Sequence, residues 1–134
     1  MDDSRIFSDW LLYSENDLDA AQYLFDRPYR KQVEIVCYHC QQAVEKALKA
    51  YLVAHGDEAP KIHDLAALCR LCALYDEAFL AQLEPCGDLS LYVAGARYPN
   101  KIEITEQDAK EALHMAGRVL AFCAEKARVL AGAD

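Results

Sequence analysis

Apolar residues recur along most of this chain at steps of three and four, the spacing that lines one side of an α-helix, and no convincing strand alternation interrupts them. A first helix is predicted from about Ser8 to Phe25, with Ser8 as its N-cap and Pro28 just beyond its end. Trp10, Leu11, Leu18, Ala21, Leu24 and Phe25 share its inward face, and Ser14 and Asp17 fall inside that same face. A carboxylate on a buried stripe is costly unless it is paired. Asp17 therefore either has a partner there or marks a part of the stripe that is wet.

The second helix, about Lys31 to His55 with Gly56 as its stop, has the clearest pattern. One arc collects Val33, Val36, Cys37, Cys40, Ala43, Val44, Ala47, Leu48 and Tyr51, and the opposite arc Tyr38, His39, Gln41, Gln42, Glu45, Lys46 and Lys49. A third helix is expected from about His63, with Leu65, Leu68, Cys69, Cys72 and Tyr75 inward, continuing toward Leu83 until Pro85-Cys86-Gly87 breaks it. Asp88 then caps a short segment, Leu89 to Ala94, and Gly95 to Ile104 reads as a loop. Thr105 and Asp108 form a capping box in which Asp replaces the usual Glu or Gln, opening a last helix that runs to about Leu130. Its stripe is Ala109, Ala112, Leu113, Ala116, Val119, Leu120, Cys123, Ala127 and Leu130. Long amphipathic helices with short connections predict an all-α fold, an antiparallel up-and-down bundle of four long helices plus a short extra one. The whole chain, 1–134, reads as a single helical domain.

Composition narrows the classes of function. Apolar residues make up 54% and charged residues 27%, a globular balance that can support a core without disulfides or metal. The net charge of −8 argues against a broad basic surface for duplex DNA, so any nucleotide or RNA contact needs a local basic pocket. No run of about 18 apolar residues predicts a membrane span, and the N-terminus does not read as a secretory signal. A cytoplasmic location with six reduced cysteines is the expectation.

Cys37-x-x-Cys40 and Cys69-x-x-Cys72 imitate a four-cysteine zinc site, yet each pair lies in the apolar stripe of a helix and lacks the turn residues of a zinc knuckle. The reading is core cysteines, with no metal and no cofactor. Phosphate-cradling glycine loops and the common hydrolase motifs are absent from the sequence. His55, beside Gly56, reads as a solvated helix-end residue, His63 as a helix-start cap, and His114 as an exposed flank. His39, Gln42, Lys46 and Lys49 fall at i, i+3, i+7 and i+10 and make one continuous strip. Two readings stay open for it: ammonium groups for phosphate with an amide for base or ribose, or a solvated face with Glu45 and Lys49 as an i,i+4 pair.

The run His39-Cys40-Gln41-Gln42-Ala43-Val44-Glu45-Lys46-Ala47-Leu48-Lys49-Ala50 resembles the second-helix signature of the HEPN family. Trp10-Leu11 with Asp17-Leu18, His63-Asp64-Leu65, and Ala96-Arg97-Tyr98-Pro99 resemble further pieces of that family in the expected order, so the resemblance spans roughly Trp10 to Phe122. It implies a helical bundle that dimerises and is often encoded with a small nucleotidyltransferase, in some cases as a toxin–antitoxin-like pair. Many members are metal-independent ribonucleases with an Arg-x4–6-His motif. Arg97 matches the arginine, but Lys101, Ile102 and Glu103 occupy the positions where the histidine would stand, which speaks against catalysis. The expectation is a nucleotide-binding or nucleotidyltransferase-partner subunit with no catalytic residue of its own. Asp17, His39, Gln42, Lys46, Arg97 and Tyr98 form its candidate site. A divergent endoribonuclease using Arg97 and His39, and a non-catalytic interaction module, are the alternatives.

Overall fold

The computed structural model describes residues 3–96 and 103–132, with side chains at 6–92 and 103–132. Among these residues there is helix and no strand: α1 (Asp3–Phe25), α2 (Val33–Ala54), α3 (Leu65–Ala73), a 3-10 turn over Glu77–Gln82, α4 (Leu83–Ala96) and α5 (Glu106–Leu130). The arrangement is the antiparallel up-and-down bundle that the periodicity predicts. Helix α2 packs against all four of the others, so its surroundings dictate most of the core. Val36, Val44, Leu48, Leu65, Leu68, Phe79, Leu89 and Val119 are fully buried there. Each such side chain contributes about 1.5–3 kcal/mol of burial free energy. A second cluster joins Phe7, Leu11 and Trp10 to Ala50 and Val53 of α2 and to Ala124 and Ala127 of α5. The start of α1 thus meets the ends of α2 and α5, and α1 runs antiparallel to both.

Local chemistry fixes the helix ends. The Lys31 ammonium donates to the carbonyls of Phe25 (2.6 Å) and Arg27 (3.1 Å), satisfying acceptors that the end of α1 leaves open. Gly56 stops α2 at φ 90°, a left-handed conformation that glycine adopts without penalty. The α5 capping box is complete: Thr105 Oγ1 accepts from the Asp108 N–H at 3.1 Å and Asp108 Oδ2 from the Thr105 N–H at 3.0 Å.

Four expectations about the elements are corrected. Helix α1 begins at Asp3, so Ser8 lies inside it rather than capping it. Pro85 and Gly87 do not break a helix; they lie within α4. Pro85 is its third residue, in the first turn, where a backbone N–H has no partner within the helix, so its missing donor breaks no bond of α4. The short extra helix is therefore α3, with nine residues, and the segment expected to be short is part of a fourteen-residue α4. Helix α3 ends at Ala73, and Tyr75, expected to face inward, lies half exposed against His55.

All six cysteines are free and fully buried, as core positions require. The Cys69 thiol donates to the Phe79 carbonyl at 3.1 Å. Burial pushes the Cys37 and Cys40 thiols up to about 12, so neither is a ready nucleophile.

Candidate functional site

The site is built where α1 and α2 run side by side. Ser14, fully buried, donates its hydroxyl to the Ala43 carbonyl at 2.6 Å, which satisfies a polar group inside the interface and sets the register of the two helices. One turn further along the same face, Asp17 reaches α2. Its Oδ1 lies 3.0 Å from His39 Nδ1 and its Oδ2 2.5 Å from Lys46 Nζ. The carboxylate side chain is 13% exposed and its two partners 29% each, so the cluster is sheltered but open to solvent on one side. His39 and Lys46 stand two turns apart on α2, about 10 Å along the axis, and the carboxylate spans the gap from the neighbouring helix.

The bonds also settle what each group has left to offer. A neutral imidazole that donates Nδ1–H to Asp17 keeps Nε2 as a free acceptor. Lys46 spends one of three donors on Asp17 and keeps two. Asp17 and Lys46 cancel in charge, so the cluster is neutral with a neutral imidazole and carries +1 with a protonated one. Gln42 lies between His39 and Lys46 on the strip and is half-buried, but its amide donates to Gln41 Oε1 at 3.3 Å rather than to the cluster. The structure thus brings together Asp17, His39 and Lys46, with Gln42 alongside. Arg97 and Tyr98 lie outside the described residues.

The structure takes Lys49 out of the strip of His39, Gln42 and Lys46 and sets it with Gln41 and Glu45 in a second, covered polar strip on α2. Gln41, Glu45 and Lys49 are buried, at 8%, 4% and 5% exposure, which corrects the reading of a solvated face. Trp10 of α1 covers Lys49, whose ammonium lies 5.9 Å from the indole ring. Glu45 Oε2 is 3.0 Å from Lys49 Nζ and 2.9 Å from His63 Nδ1, while Oε1 is buried with no hydrogen-bond partner among the described residues. Gln41 donates to the His63 carbonyl at 3.3 Å, and Asp64, not His63, caps α3 by accepting from the Ala67 N–H. His63 is therefore a tether between the α2–α3 connection and a buried ion pair.

His55 is also corrected. It is not a solvated helix end: its ring stacks on Tyr75 at 3.6 Å and 11°, with Tyr51 edge-on at 4.8 Å. Its Nε2 is buried without a hydrogen-bond partner among the described residues. Burial lowers the imidazole pKa, against an opposing pull from Asp57. Asp57 in turn accepts from the Tyr75 hydroxyl at 2.7 Å. His114 is exposed on α5, as expected.

Among the described residues no helix is long and apolar enough to cross a membrane. No curated protein matches the chain. Two solved structures share its architecture over nearly their whole length. The archaeal HEPN homologue ST0689 is 25% identical with a TM-score of 0.67, and the match covers 90% of this chain and 97% of that one. TT1696 from Thermus thermophilus is 27% identical with a TM-score of 0.68, covering 94% and 99%. The model of the HEPN domain matches residues 7–127, a span that includes both helices of the Asp17 cluster, and the chain belongs to the HEPN family.

Proposed function

We propose that this chain is a nucleotide-binding subunit that works with a separate nucleotidyltransferase, as one half of a toxin–antitoxin-like pair, and that it does so as a homodimer without robust catalysis of its own. The observation that carries the reading is the bridge from Asp17 to both His39 and Lys46. It holds an ammonium with two unused donors and an imidazole with one free nitrogen on the same open strip, which suits a phosphate beside a ribose or base. Arg97, from the connection between α4 and α5, adds a planar fork of donors for phosphate in this reading, and Tyr98 a ring for the base. The missing histidine at 101–103 supports a binding role over cleavage.

Equilibrium titration with a nucleoside monophosphate tests it. Lys46→Ala and Arg97→Ala should each lose about 1–3 kcal/mol of a charge-assisted contact, or roughly 5- to 150-fold in affinity. Wild-type affinity in both variants would refute the proposal. Light scattering at tens of micromolar should give twice the 15.1 kDa chain mass, and a monomer would remove the homodimer.

The His39–Asp17 contact favours a second reading, metal-independent cleavage of RNA. A carboxylate on Nδ1 fixes the tautomer that leaves Nε2 to take a proton from a ribose 2′-hydroxyl. RNA cleavage by the purified protein that disappears in His39→Ala would establish this reading and displace the first. Cleavage no greater than that of His39→Ala would remove it.

A further inference from the structure

The polar cluster has an aromatic border. Tyr38 immediately precedes His39 on α2 and is 44% exposed. Its ring centroid lies 5.7 Å from that of His39, and the two planes stand 73° apart. On α1, Tyr13 precedes Asp17 by one turn, on the same helical face, and is 54% exposed. Neither hydroxyl makes a hydrogen bond among the described residues, and neither ring belongs to the core. Exposed tyrosines are common singly. Two of them flanking a hydrogen-bonded Asp–His–Lys cluster from two different helices form an arrangement with specific consequences. A phosphate at Lys46 is reached by any phosphate ester, because an ammonium reads charge and not shape. A planar, π-rich group beside it is read by an aromatic face.

We infer that Tyr38, with Tyr13 contributing from α1, is a stacking platform for the base of the bound nucleotide, so that this site selects base-bearing phosphates over simple sugar phosphates. The inference rests on the nucleotide-binding reading and deepens it. Phosphate and ribose engage Lys46 and the free His39 nitrogen, and the base lies on the solvent-facing side of the Tyr38 ring. The near-perpendicular His39 ring lies beside that of Tyr38, so the base and the cluster are within reach of one ligand. The hydroxyl of Tyr38 is not needed for this, whereas the ring is.

Calorimetric titration of the full chain with adenosine 5′-monophosphate and with ribose 5-phosphate separates the two levels of the argument. Tyr38→Ala should weaken the adenosine monophosphate about ten-fold, within the range of base–aromatic stacking, and leave ribose 5-phosphate unchanged. Tyr38→Phe should retain wild-type affinity for both, and Tyr13→Ala should weaken only the base-bearing ligand. Lys46→Ala should weaken both ligands by a similar factor. If Lys46→Ala weakens both ligands while Tyr38→Ala and Tyr13→Ala change neither, the platform is wrong and the nucleotide site survives. Equal loss of both ligands in Tyr38→Ala would also overturn it, since the ring would then be acting on the cluster and not on the base. Absence of binding by the wild-type chain, or binding indifferent to Lys46→Ala, overturns the site and the platform together.

Discussion

Replacing Lys49 by Met removes a charge from the most deeply buried ion pair described while keeping the unbranched stem that lies against Trp10. Lys49 and Glu45 are each 6% exposed at the side chain, and Glu45 Oε1 already lacks a hydrogen-bond partner among the described residues. The variant leaves a buried carboxylate with only the outer imidazole of His63, which is itself 80% exposed and a weak substitute. Breaking a buried pair from one side costs about 3–5 kcal/mol. The orphaned carboxylate has an escape, because it can take a proton. For an ordinary glutamate near 4.3 this costs about 3.7 kcal/mol at pH 7, at about 1.36 kcal/mol per pH unit, and it sets a ceiling. The expected loss is therefore about 3–3.7 kcal/mol, a fall in Tm of roughly 10–13 °C for a chain of this size. Urea denaturation followed by far-ultraviolet circular dichroism measures it. The double variant Glu45→Leu/Lys49→Met, which removes both charges, should regain most of the loss. A single variant costing less than about 1 kcal/mol would show that the pair is hydrated, and the account of a covered second strip on α2 would fail.

Two further predictions concern the scaffold. Gly87 in α4 and Gly117 in α5 have nothing within 4 Å of where a Cβ would sit. Gly87→Ala and Gly117→Ala should each stabilise the fold by about 0.5–1 kcal/mol, and destabilisation by either in the same denaturation assay would contradict the described packing. His55 gives stability a pH dependence. Its pKa is lowered by burial in the folded chain, so the unfolded chain binds more protons, and the stabilisation present above about 6.5 is lost as pH falls. His55→Phe, which keeps an aromatic ring for the Tyr75 stack, should flatten that part of the stability–pH profile, and an unchanged slope would refute the assignment.

The bundle was legible because period and punctuation agree: Gly56 stops α2 and the Thr105–Asp108 box starts α5 where the pattern says they should. The error around Pro85 arose because proline and glycine signal a break only in a helix interior. Position relative to the helix start decides, and the preceding 3-10 turn that fixes that start carries no signal in the apolar spacing. Asp17 stood out as a carboxylate on an inward face, and the demand for a partner was physical. Which partner it found depended on the register of α1 against α2, which Ser14 helps to set and which no single-helix pattern contains. Glu45 and Lys49 were readable as an i,i+4 pair. Their burial was not, because it comes from Trp10 and from His63, residues distant in sequence that fold over α2. The stacking of His55 on Tyr75 was hidden for the same reason.

The central claim, that the Asp17–His39–Lys46 cluster receives a nucleotide, is tested most directly by following the four histidines while the ligand is added. Imidazole resonances of His39, His55, His63 and His114 would be recorded by heteronuclear NMR during titration with adenosine 5′-monophosphate. The account predicts a saturable shift at His39 that disappears in Lys46→Ala, with His55 and His114 unmoved. His114 lines a separate cavity of about 360 Å³ between α4 and α5, so it reports on a competing location. A saturable shift at His114 with His39 silent, or no saturable shift at any histidine, would contradict the account.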